Sequence, residues 1–192
     1  MPKTQPPPMR VISEDIPISG KQREGRATNV IAELLMAKLL VPKIFLKPRT
    51  LKIFLKPDLN QNAKPFLTID VLAIDRAGSG DIHAVHIFLD QTKDLREQIK
   101  LATHVQFLLS YIPVHFKYIA VDSQSIDFVS KQQLFAKDGI GRVGIIEVKE
   151  IKSGPPEARI VIQPERFRVN PDAIKEFDKF QNRARADMEF RS

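Results

Sequence analysis

Asp70, His83 and His86 fall in one stretch, LTIDVLAIDRAGSGDIHAVHIFLD (67–90), where two apolar runs flank a glycine turn. A carboxylate and an imidazole on one face can hold a divalent cation or move a proton. Side chains alternate across a strand, so Asp70 shares a face with Phe66, Thr68, Leu72 and Ile74. A hairpin turning around Ala77 to Ser79 brings Asp70 opposite His86. His83 and His86 are three apart and point to opposite faces, so they cannot share a metal. An unpaired buried carboxylate is costly. Asp70 is therefore expected to bond to His86, pair with a lysine or hold a cation.

The elements that must position these groups follow from the pattern around them. The chain has 192 residues, 43% of them hydrophobic, enough for one compact domain with tails. It lacks cysteine, which excludes disulfides and thiolate metal sites. No apolar run approaches the length of a membrane span, and MPKTQPPPMR has no signal-peptide core, so a cytoplasmic location is expected. The net charge of +7 is compatible with a polyanionic partner.

Residues 1–27 are rich in proline and charge and read as a flexible arm. A helix begins near Thr28 or Asn29, with Val30, Ile31, Leu34, Leu35 and Leu39 at helical spacing, and Pro42 ends it. KIFLKP then occurs twice, at 43–48 and 52–57, as short β segments or an extended loop. The two runs of the opening stretch are strands, the first apolar on both faces and so central in its sheet. DLREQIKLATHVQFLLSYI reads as a helix with Leu95, Ile99, Ala102, Val105, Leu109 and Ile112 facing the core. FKYIAVD is a strand, SKQQLFAKDG a short helix, GRVGIIEVKEI and ARIVIQP two further strands. Asn170 and Pro171 open a C-terminal amphipathic helix (170–192) with Ile174, Phe177, Ala184 and Met188 on its apolar side. Helices and strands alternate in this order in an α/β arrangement with a mixed sheet.

A helix, a hairpin with a mid-strand aspartate, a second helix and a further strand, together with LFAKDGIGRVGIIEV after them, resemble the PD-(D/E)XK nuclease superfamily over residues 28–165. The resemblance implies a restriction-endonuclease-like mixed β-sheet flanked by helices, homodimerisation, and Mg²⁺ or Mn²⁺ held by an acid on each strand of the hairpin. A lysine two residues after the second acid would steady the attacking water. Asp70 matches the first acid, with Ile69 where proline is usual; His86 and Phe88 stand where the second acid and the lysine belong. Imidazole can ligate a metal, but phenylalanine cannot steady a hydroxide. The implied function is nucleic-acid or partner binding without efficient cleavage. An active metal-dependent nuclease using Asp70, His86 and Glu33, and an assembly module with no nucleic-acid role, are the alternatives.

Glu147-Val148-Lys149 offers a competing E-x-K register with Asp127 as its acid, but a Gly-Pro-Pro turn follows where that register needs a helix. Lys43, Lys47, Arg49, Lys52 and Lys56, interleaved with Phe45 and Phe54, form a candidate surface for a phosphate backbone, as do Arg183, Arg185 and Arg191. The alternative is a pair of strands guarded by lysines. His104 and His115 read as structural, and Glu33 and Gln98 as exposed helical residues. P-loop, zincin and esterase motifs are absent.

Overall fold

The structure, a computed structural model, describes residues 20–39, 50–57, 69–75, 80–89, 96, 98–103, 113–133, 142–150 and 155–191. It is mixed α/β. The elements are α1 (Gly20–Leu39), β1 (Thr50–Leu55), β2 (Val71–Asp75), β3 (Ile82–Phe88), β4 (Phe116–Val121), α2 (Ile126–Gln133), β5 (Gly144–Lys149), β6 (Glu157–Ile162), α3 (Pro171–Arg183) and β7 (Met188–Arg191). Residues 98–103, between β3 and β4, are also helical.

All seven strands form one sheet in the order β6-β5-β4-β3-β2-β1-β7. β1, β2 and β3 are an antiparallel meander, while β3, β4 and β5 run parallel. The parallel pairs are joined through helices, as parallel strands require. β2 and β3 are buried at every position, the consequence of apolar residues on both faces. One face packs Val71, Ala73, Val85, Ile87, Tyr118 and Ile146 against Ala27, Ile31, Ala32 and Leu35 of α1. The other packs Leu72, Ile74, Ala84, Phe88, Ile119 and Ile145 against Leu101, Val129 of α2 and Phe177 of α3. α1 touches β1, β2, β3 and also β6, far along the strand order, so the sheet curls around it. Arg23 to Glu150 (2.6 Å) and Lys38 to Gln163 (2.6 Å) fasten the two ends of α1.

Several expectations are corrected. α1 starts at Gly20, inside the span read as a flexible arm, because a polar first turn carries no apolar period even when it is helical. Thr28 does not cap it; the Thr28 hydroxyl donates to Glu24 O (2.8 Å). Ile99 is 58% exposed, and Leu101 is the fully buried residue of its helical stretch. The C-terminal helix stops at Arg183, and the segment after it forms β7, paired with β1. Met188 therefore packs as a strand residue on the α1 face. Asn170 and Pro171 do open α3: the Asn170 side chain accepts the Asp172 N–H (3.0 Å). The second KIFLKP forms β1; the first lies outside the described residues, as do 1–19, His104 and the turn around Ala77 to Ser79.

Sheet edges are guarded. β6 carries exposed Glu157 and Arg159 and an irregular register opposite Ile145 and Ile146, and β7 is four residues long. Among the described residues no helix is long and apolar enough to cross a membrane. Gly144 opens β5 because its neighbours leave no room. An added Cβ would lie 2.7 Å from Tyr118 Cδ1 and 2.9 Å from Pro164 Cδ. Gly144→Ala is expected to lose about 1–3 kcal/mol by overpacking, read from the urea midpoint.

Candidate functional site

The β2–β3 pairing stops where Asp70 sits. Asp70 is not in mid-strand but immediately precedes β2. Val71 lies across from Val85, which sets Asp70 across from His86. Asp70 N–H donates to Val85 O (2.9 Å), and Lys56 N–H donates to Asp70 O (2.8 Å). The Asp70 carboxylate takes the Ile87 N–H on Oδ2 at 2.7 Å. His86 Nδ1 lies 3.1 Å from the same oxygen. Asp70 and His86 are both buried, 8% and 7% exposed. A backbone donor at the end of a ladder must find an acceptor, and here a side chain supplies it. The expected contact with His86 is present; the Ile87 N–H contact depends on register and has no sequence signature.

Lys56, φ 46°, turns the chain out of β1 in the left-handed region, directly after its N–H has met Asp70 O. Asp187, just before β7, locks the same corner: its Oδ2 accepts the Leu55 N–H (2.7 Å), and its own N–H donates to Ile53 O (2.9 Å). A continuous run of bonds therefore links Asp187, Leu55, Lys56, Asp70 and His86. Arg183 ends α3 and Arg185 lies between α3 and Asp187; both are exposed, like Lys56. Lys52 lies directly across from Glu189 in the β1–β7 register, which balances its charge locally. Lys43, Lys47 and Arg49 lie outside the described residues, and Arg191 belongs to β7.

Glu33 is not part of this arrangement. It is exposed on α1, whose apolar side covers the sheet face opposite to that of Leu72, Ile74 and Phe88. Phe88 is buried in the core, 5% exposed, so the position where the resemblance requires a lysine is occupied by packing. Among the described residues no group of three or more His, Asp or Glu could hold a metal ion. The donor set of one carboxylate oxygen, already bonded, and one imidazole does not fit a hard divalent cation, which takes several oxygens.

No protein-family model and no curated protein matches the chain. A solved structure of a protein of unknown function from Silicibacter pomeroyi aligns with a TM-score of 0.49 and 14% identity over 86% of each chain.

The competing E-x-K triplet has a different role. Glu147 is 3% exposed and accepts the Ser123 hydroxyl (2.5 Å) and Arg159 Nε; Lys149 Nζ lies 3.8 Å away. The Ser123 hydroxyl, then Arg159, holds the Glu147 carboxyl below the usual carboxylate range. Asp127 is exposed in the first turn of α2 and stands on no neighbouring strand. Glu147 thus closes a local polar network between β5, β6 and the turn after β4. Another buried charge, Lys117, lies under the Phe167 ring with Nζ 4.2 Å from its centre, and burial pushes its ammonium down to about 8.

Proposed function

We propose that the chain is a restriction-endonuclease-like domain with a degenerate site, which binds nucleic acid without efficient cleavage. The observation that carries this reading is the position of Asp70. It heads β2 and faces His86 on β3, within the order α1-β1-β2-β3-helix-β4 with β4 parallel to β3. This order fits the one that the resemblance implies around a paired-acid nuclease site, and a buried Phe88 at the lysine position supports binding over cleavage. Lys56, which bonds Asp70 through its backbone, and Arg183 and Arg185 near the end of α3 supply exposed positive charge, and phosphate contacts by such groups do not depend on a metal.

Fluorescence anisotropy on duplex DNA between about 50 and 200 mM salt tests the reading. The expected result is affinity that falls linearly on a log–log plot, with no cleavage when Mg²⁺ or Mn²⁺ is added. Absence of binding at the low-salt end, or cleavage that disappears in Asp70→Ala, would overturn it.

A further inference from the structure

The N-terminal ends of β3 and β4 hold two buried histidines that the Asp70 site does not use. His83 stacks on Phe116 with ring centres 4.6 Å apart and interplanar angle 19°, and lies 6.2 Å from the Tyr118 ring. Its Nδ1 is buried and has no hydrogen-bond partner among the described residues. His115, just before β4, accepts the Ile82 N–H on Nδ1 (3.0 Å). The His115 carbonyl in turn accepts the Phe167 N–H (2.8 Å). Phe167 belongs to the strap that runs from β6 to α3 across these strand ends. Glu165 N–H to Arg142 O (2.8 Å) and Arg166 to Asp81 (3.0 Å) hold the same strap.

A neutral imidazole has one acceptor nitrogen; a protonated one has none. Protonated His115 would turn an N–H toward the Ile82 N–H, and their bond could not survive. Protonated His83 would bury a charge against two aromatic rings. We propose that His83 and His115 form an acid-sensitive latch, whose protonation breaks the Ile82–His115 bond and frees the strap at residues 165–167 from the ends of β3 and β4.

The surrounding charges are mixed. His83 faces Lys38 from α1, Asp75 from β2, Asp81 ahead of β3 and His115; His115 faces Arg166 from the strap and Asp81. Burial pushes the His83 imidazole down to about 4, with Asp81 acting in the opposite sense. Burial, and then Arg166, also lower His115. Both groups sit below their unfolded value of about 6.5, so the opened state takes up protons that the closed state refuses. The latch is therefore closed above about pH 6.5 and weakens as pH falls toward 4.

Amide exchange at Ile82 and Phe167, corrected for intrinsic rates and measured between about pH 7 and 4.5, reads the latch directly. Protection at both amides is expected to fall by about tenfold or more, while Ile146 in β5 keeps its protection. In the His83→Phe/His115→Gln double variant the fall should largely vanish, because a glutamine oxygen can still accept the Ile82 N–H without titrating. Imidazole titration by NMR in the unaltered protein keeps the test decisive if that variant does not fold. Unchanged protection at Ile82, simultaneous loss at Ile146, an equal fall in the double variant, or both histidines titrating near 6.5 would overturn the proposal.

Discussion

Asp70→Ala should lower stability by about 3 kcal/mol and leave nucleic-acid affinity nearly unchanged. The substitution removes the acceptor of the Ile87 N–H and the atom facing His86 Nδ1, both in a buried setting. A buried donor left without a partner loses about 1–3 kcal/mol, and bonds to a carboxylate lie at the upper end. Asp70→Asn should lose only about 1 kcal/mol, because its amide oxygen can still accept from Ile87. Urea unfolding of the three proteins at neutral pH gives the comparison. The sign matters more than the size. A carboxylate retained for chemistry commonly strains its site, and its removal then leaves stability unchanged or raised. A stability change for Asp70→Ala near zero would point to a retained chemical role and away from a structural one.

Replacing Lys56, Arg183 and Arg185 together with alanine should have the opposite profile: weak binding in a fully stable fold. All three are exposed, so their loss removes charge with little packing. If each contacts one phosphate, the slope of log affinity against log salt on duplex DNA should flatten by about 2.7, at about 0.9 per contact. The same slope acting over the decade between about 0.1 and 1 M salt implies up to a roughly 500-fold loss of affinity at 0.1 M. A parallel urea curve with the unaltered protein would confirm that the fold is untouched. An unchanged slope would place the binding surface elsewhere, and an unchanged affinity with no salt dependence in either protein would remove the nucleic-acid reading altogether.

The local elements were legible because their signals are local. Residues apolar on both faces marked β2 and β3, short apolar runs marked β4, β5 and β6, and Asn170-Pro171 marked the start of α3. The pairing of Asp70 with His86 was also readable, since a hairpin fixes which residues face each other over a short separation. The start of α1 was not, because GKQREGR has no apolar period and owes its helicity to continuity with the buried turns that follow it. β7 was hidden for a related reason: MEFR is too short to declare itself and becomes a strand only because β1 offers it an unpaired edge.

By itself, then, the sequence determined an α/β chain with a strand pair carrying an aspartate opposite a histidine and a phenylalanine where a lysine would be needed. The tertiary structure alone decided what those residues do. Asp187 reaches Leu55 across 132 positions, and His115 reaches Ile82 across 33. Which backbone N–H a carboxylate or an imidazole satisfies depends on where distant strands come into register and where their ladders stop. Burial then requires that every such donor be met, and no pattern within one segment encodes the partner.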